Sequence, residues 1–271
     1  CVVVAYRWVR LSLGAHGEFW QEDAASVRVV SSFGAQMLAI GAVVGVAMWT
    51  GLARPNWAWT LAALLILPIA LLLQHRTVWF AMTASVFFAI GLASWSRRGR
   101  WLGAVVPMAL GAVAILGAFL LVPQTRMTSG LERSTSTATF IWRVDSWQEM
   151  VRDWARGGPK EWPAGRPYGA PVNRYIESQG QVATVSAHSH YVGLLVNGGV
   201  LGLTAYLVAQ LTALRRLTTA VRDPQSTQRH ASDALLALSI VAVMVYAVAY
   251  GTDYLQGVFL GLAYSRALQL R

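Results

Sequence analysis

The sequence predicts an all-α fold: a polytopic transmembrane bundle of six to seven helices, with one long outer loop that carries an amphipathic helix. Three observations predict it. The 271 residues are 55% hydrophobic and only 13% charged, against roughly 25% charged in an average soluble domain. Six uncharged windows run over 33–53, 55–73, 77–96, 101–125, 191–214 and 234–252. Each reaches the roughly 17–25 residues that a helix needs to cross the hydrocarbon core. A shorter seventh, 254–265, ends at Arg266, whose long side chain could snorkel to the interface, and it counts as a further span.

The arginines orient these spans. Net charge is +10, and Lys160 is the one lysine among 22 basic residues. Short loops rich in arginine face the cytoplasm. Arg97, Arg98 and Arg100 mark one such loop, and Arg215, Arg216, Arg222 and Arg229 mark another. Alternation then places Arg54 and Arg271 inside and "LQHRT" (73–77) outside. The basic balance is thus a topology signal, and no nucleic-acid partner is expected. Residues 123–187 also fall outside, giving three regions: N-terminal helices over 1–122, an outer loop over 123–187 and C-terminal helices over 188–271. Residues 1–30 are polar with embedded aromatics and are placed at the outer surface. The chain opens on Cys1, in "CVVVAY", which reads as the tail of a hydrophobic segment; a fragment lacking upstream helices is expected. Cys1 is the only cysteine, which excludes an intrachain disulfide and a multi-cysteine metal site.

The outer loop has an internal pattern. Ile141, Val144, Trp147, Val151 and Trp154 share one sector at 100° per residue, and Asp145, Glu149 and Asp153 fall opposite. This spacing predicts an amphipathic helix lying flat on the membrane or over the bundle. The Gly- and Pro-rich "RGGPKEWPAGRPYGAP" that follows predicts an irregular loop.

Five outward-facing residues are candidates for chemistry. Arg76 lies between two spans at the outer face, where short loops normally avoid arginine; it is either an interfacial anchor or the partner of a phosphate. Arg143 lies at the border of the amphipathic stripe, able to pair with a nearby acid or to reach toward the bundle. His188, His190 and Tyr191 head the fifth window in "SAHSHYVGLLVNGGVLG". Ser186 or His188 could cap that helix, with His190 and Tyr191 in an interfacial belt. The two histidines are two apart and point about 200° from each other on a helix, so they cannot share a metal from one face. With no Cys or Asp/Glu cluster beside them, no metal is expected. Gly198, Gly199 and Gly202 allow close helix packing. Arginines that bind phosphate beside an imidazole that accepts a proton suit transfer from a phosphate-activated donor held in the membrane. There is no Gly-Lys phosphate loop for ATP.

On these residues the chain resembles the O-antigen ligase and polymerase superfamily with its Wzy-C type core. "QHRTVWFA" is similar to the family's arginine at the outer end of a span. "RVDSWQEM" resembles its periplasmic amphipathic helix, and "HSHYVGLLVNGGVLG" its histidine motif, with His188 at the leading position. Asn197 is neutral where many relatives carry an acid, and the Gly-rich turn before the histidine motif is unusual. The resemblance implies a metal- and cofactor-independent inverting glycosyltransferase in the bacterial inner membrane, of a GT-C-like type, with its site facing the periplasm. The donor would be a glycan on undecaprenyl diphosphate. The acceptor would be a sugar hydroxyl on lipid A-core or on another lipid-linked glycan, and some relatives glycosylate protein hydroxyls instead. Arg76 and Arg143 would hold the diphosphate, and His188 would orient or deprotonate the acceptor. His190 and Tyr191 are secondary candidates. A transporter of polysaccharide or lipid is the alternative from another class; the windows from 33 to 122 lack the intramembrane charges a transporter usually needs.

Overall fold

The computed structural model describes residues 18–20, 26–28, 32–49, 52, 57, 61, 66, 76–95, 138–167, 173–176, 181–184, 187–222, 229–251 and 255–268. Among these residues run seven helices: α1 (Ser32–Trp49), α2 (Arg76–Trp95), α3 (Ala138–Arg156), α4 (Glu161–Ala164), α5 (His190–Arg222), α6 (Arg229–Tyr246) and α7 (Leu255–Leu268). Trp57, Leu61 and Ile66, inside the second apolar window, are also helical. The fourth window, 101–125, and the loop 97–100 lie outside the described residues.

The fold is helical, with two departures from a purely α chain. β1 (Glu18–Trp20) pairs antiparallel with β2 (Ser26–Arg28), and β3 (Asn173–Ile176) with β4 (Gln181–Thr184). The second hairpin and α4 lie in the stretch 123–187, so this stretch carries more regular structure than the irregular loop its glycines and prolines suggest. The strand Asn-Arg-Tyr-Ile and its partner Gln-Val-Ala-Thr alternate polar and apolar residues in part, and each supplies the other's backbone bonds.

Apolar sequence and helix-forming residues make each long helix, and small residues let them meet. α6 packs against α1, α2, α5 and α7. One cluster joins Ala35, Ala39 and Ala42 of α1 to Val78, Ala81 and Met82 of α2 and Tyr246 of α6. A second joins Ala89, Leu92 and Ala93 of α2 to Val221 of α5 and Ala234 and Leu238 of α6. A third joins α5, α6 and α7 through Ala213, Leu217, Ala237, Ile240 and Ala263. Thirteen of the 27 buried apolar residues described are alanine. Alongside buried Leu217, Leu238 and Ile240, several large side chains point out: Phe80, Phe87, Leu201, Val208, Leu211 and Leu262 are exposed.

Among the described residues one helix, His190–Val221, is long and apolar enough to cross a membrane by length and composition, and Gly34–Gly45, Thr77–Ala93 and Ala231–Tyr246 are shorter apolar helices. α5 is not one rod, however. Gly199 has φ 62° and ψ −167°, which no helix contains. The imidazole of His190 lies 4.9 Å from the ring of Tyr206, whereas 16 residues of straight helix would separate them by about 24 Å. The chain therefore folds back at Gly199 into a helical hairpin. A half-helix over 190–198 stands beside the opening turns of a long half over 200–222. The long half alone measures about 34 Å, enough for a hydrocarbon core of about 30 Å. The single span expected over 191–214 is thus corrected: its first eight residues belong to the short arm.

The C-terminal helix corrects a second expectation. Arg266 donates from Nε to Asp233 Oδ1 at 3.1 Å and from an Nη to Ser232 Oγ at 3.4 Å, tying α7 to α6. Asp233 is 1% exposed. Arg266 is an ion-pair partner and not a free snorkelling side chain.

Candidate functional site

Four of the five sequence-predicted residues, Arg143, His188, His190 and Tyr191, gather where α6 ends and α5 begins. Tyr246 closes α6, Ala247 to Ala249 form a turn, and Tyr250 stacks on Tyr246 with centroids 4.8 Å apart. The amide of His190 donates to the carbonyls of Ala247, 2.9 Å, and Tyr250, 3.0 Å. Tyr191 reaches one turn further down α6 and donates its hydroxyl to Met244 O, 2.8 Å. These bonds absorb carbonyls that a helix end leaves without intrahelical partners, and they fix the start of α5 on the end of α6.

The cap of α5 is Ser189, not Ser186 or His188. Its buried hydroxyl accepts from the Val192 amide at 3.4 Å, the usual spacing from cap to third residue. His188 lies just before the helix, so the helical projection that set it about 200° from His190 does not apply. His188 is the only non-glycine described residue with a left-handed backbone, φ 44°. That conformation costs roughly 1–2 kcal/mol for an L-residue and persists where the surroundings hold it. The residue is exposed, yet the protein around it takes part of the ring out of water. Its pKa lies below the ordinary 6.5, first because of that partial burial and second because of the Arg143 guanidinium. The positive end of the short helix acts in the same direction. The neutral, proton-accepting form is the resting form at pH 7.

α3 lies across this junction. Its acidic residues Asp145, Glu149 and Asp153 are exposed, as the periodicity requires, but the predicted stripe residues Val144, Trp147, Val151 and Trp154 are only half-buried, and the buried positions are Ser146 and Met150, off that stripe. Arg143 Nη1 donates to Ala249 O at 3.2 Å, and its guanidinium carbon sits 4.9 Å from the centre of the Tyr250 ring. One carbonyl and one aromatic face hold the group. A guanidinium has five donors, so this mooring leaves capacity for an anion. One turn along, the Trp147 indole donates to Ala187 O at 2.7 Å, next to His188.

Arg76 opens α2. The next turn, through Val78, shares a cluster with Tyr246, so the backbone of Arg76 stands at the same end of the bundle as His188 and Arg143. Its side chain lies outside the described part of the structure. His190 packs its ring edge-on against Tyr206, and Tyr191 does the same at 5.9 Å. Both are turned toward the long arm of α5, where Gln256 of α7 donates to the Tyr206 hydroxyl. Among the described residues no group of three or more His, Cys, Asp or Glu could hold a metal.

The tip of the α5 hairpin is held by α4. The carbonyl of Val196, released by the break, accepts from the Arg166 amide at 2.9 Å. Gly165, φ 77°, lies against the backbone of Asn197 and Gly198, and Gly199 lies against Pro163 and Ala164. A Cβ at either glycine would collide with main chain, so the glycines serve a backbone-to-backbone contact between loop and helix. Arg166 also lies 3.6 Å from both Asp153 and Glu161.

Sequence reasoning missed Trp147 as a polar contact, Tyr250 and the Gly165–Gly199 contact. Two signals were available. A half-buried indole requires an acceptor, and Asn-Gly-Gly inside an apolar run is a turn signal. No protein-family model matches the chain, and no curated protein matches it.

Proposed function

We propose that this chain is a membrane glycosyltransferase of the O-antigen ligase and polymerase type, inverting and metal-independent, that transfers a glycan from undecaprenyl diphosphate to a sugar hydroxyl at the periplasmic face of the inner membrane. The observation that carries the reading is the convergence, at one end of an apolar bundle, of a moored guanidinium and a neutral imidazole. Arg143 approaches closely enough to lower the His188 pKa, and the Arg76 backbone stands at that end.

The chemistry follows from these groups. The acceptor oxygen attacks C1 of the donor sugar from the face opposite the diphosphate. The C1–O bond to phosphate breaks, the electron pair leaves with the diphosphate, and the configuration at C1 inverts. His188 takes the acceptor proton. Arg143 and Arg76 offset the negative charge that grows on the leaving diphosphate, where charge-assisted, forked hydrogen bonds are strongest.

The bundle itself supports a polytopic membrane setting. In lipid, helices associate through small residues, and the alanines between these helices, with Phe80, Phe87, Leu211 and Leu262 exposed, agree with that setting. The testing experiment supplies purified protein in nanodiscs with an undecaprenyl-diphosphate glycan and, in separate reactions, lipid A-core, a second lipid-linked glycan and a protein acceptor. Transfer to one of the first two supports the reading and separates ligase from polymerase. Transfer to protein alone makes the chain an oligosaccharyltransferase of the same superfamily. A second reading, lipid or polysaccharide transport, draws on the broken α5 and the buried Asp233–Arg266 pair, both features of transporters. The break is engaged by the outer loop and the pair sits at the far end of α6, so neither lines a common path. Movement of the lipid-linked glycan across vesicles without any transfer would favour transport.

A further inference from the structure

α3 contacts the start of α5 through two side chains one helical turn apart. Arg143 binds the Ala249–Tyr250 turn, and Trp147 binds the Ala187 carbonyl. Between these two moorings lies His188, in a left-handed backbone conformation. On its other side the chain is fixed by the Ser189 cap and by the His190 amide bonded to two carbonyls. The segment 187–190 is thus held on both flanks, and the indole hydrogen bond to Ala187 O ties its N-terminal flank to α3.

We infer that Trp147 is a positioning residue for His188: its indole N–H, through the Ala187 carbonyl, holds the strained turn that presents the imidazole to the Arg143 guanidinium. Because residues 143 and 147 lie on the same helix, their four-residue rise, about 6 Å, fixes the separation of the two moorings on either side of His188. Docking of the loop helix and assembly of the site are then one event. Without the Trp147 bond, the turn relaxes toward a less strained conformation, and the imidazole becomes more hydrated and moves away from Arg143. This inference deepens the proposed transfer reaction and rests on it for the meaning of His188, while its main readout does not.

The experiment is an NMR titration of the His188 ring in nanodiscs, assigned with His188→Gln. Two changes remove the donor: Trp147→Phe, which also loses the five-membered ring, and benzothienylalanine at position 147, which keeps the bicyclic shape and replaces N–H by sulfur. Trp162→Phe is the control, since the Trp162 indole donates to Ala155 O elsewhere on the same loop. Arg143, whose charge acts on His188, and Tyr250, which packs on Arg143, are left unaltered. The expected result is an upward movement of the His188 midpoint toward 6.5 in both Trp147 variants and no movement in Trp162→Phe. Transfer should fall by about tenfold or more through kcat, since small misplacements of a catalytic group carry costs of that order. A His188 midpoint that stays put in folded benzothienylalanine protein overturns the inference, whatever the activity. A shifted midpoint in a protein whose wild type transfers nothing leaves the positioning role standing and sinks the transfer reaction instead.

Discussion

Arg143 has two kinds of neighbour, and a lysine satisfies neither as well. Its guanidinium carbon lies 4.9 Å from the centre of the Tyr250 ring and its Nη1 donates to the Ala249 carbonyl, whereas an ammonium is a point charge without a stacking face. Arg143→Lys should therefore retain partial transfer and Arg143→Ala should lose it, with folded yield unchanged in both; full activity in the alanine variant would reduce the residue to a loop anchor. The same guanidinium sets the pH response. It is the second cause, after burial, that holds the His188 pKa below 6.5. A base must be unprotonated to act, so transfer should be flat around pH 7 and fall as pH drops through that lowered value. Arg143→Gln removes the repulsion and should move the acid limb to higher pH in a kcat/KM profile. His188→Ala should cost about 10²–10⁴ in rate, the range of a general base. His190, turned onto the Tyr206 ring, should cost much less in a side-by-side assay of the two alanine variants. The pairing of residue types was legible in the sequence, but the backbone of His188 was not. A positive φ at a non-glycine residue is imposed by contacts from α3 and α6, far away in the chain, and no local pattern announces it.

At the scale of the element, α5 shows what hydropathy misses. The apolar run continues through "GLLVNGGVLG" without a charge, so any window sum reads one span, while a single residue at φ 62° turns the chain back on itself. Gly199→Ala should strain the backbone by roughly 1–2 kcal/mol and push Pro163 and Ala164 away, releasing α4 from the hairpin tip. Trypsin should then cut faster after Arg156 and Lys160 than in the wild type, and transfer should fall with it; an unchanged digest would show that loop and hairpin are not coupled. The amphipathic α3 was legible as a helix with an exposed acidic face, but its buried centre was not, because Ser146 and Met150 lie off the apolar stripe. The β3–β4 hairpin was not, because Gly- and Pro-rich flanks masked two four-residue strands that stabilise each other. The α6–α7 pair was also hidden. Asp233 reads in the sequence as one acid at the head of an apolar run, and its partner is Arg266, 33 positions on. Arg266→Met leaves Asp233, 1% exposed, without that counter-charge. Removal of one partner from a buried pair costs about 3–5 kcal/mol, so thermal unfolding in nanodiscs should show a clear loss of stability with transfer per folded molecule unchanged.

At the scale of the molecule the telling feature, among the described residues, is small residues at the helix contacts with several large apolar side chains outside them. Ala35, Ala39, Ala81, Ala89, Ala234, Ala237 and Ala263 fill the contacts between helices, and Phe80, Phe87, Leu211 and Leu262 face outward. In water that arrangement would leave large apolar groups hydrated while burying small ones; in lipid it costs nothing and brings helix backbones close. The two ends of the bundle then differ in charge and role. One end carries His188, Arg143 and the backbone of Arg76. The other carries Arg215 and Arg216 of α5, and the Asp233–Arg266 pair. Arginine-rich short loops stay in the cytoplasm, so the second end should face inward and the first should face the periplasm, where a lipid-linked donor would be met. Positions 136 and 226, which lie outside the described residues, fall in the sequence just before α3 and just before α6. Single cysteines at Ser136 and Ser226, each in a Cys1→Ser background, report on the two sides. With an impermeant thiol reagent on cells whose outer membrane has been permeabilised, Ser136→Cys should label at once, and Ser226→Cys only after the inner membrane is opened. Equal labelling of both in intact cells would put the arginine clusters and the candidate site on the same side, and no reaction with a periplasmic donor could then be assigned to His188.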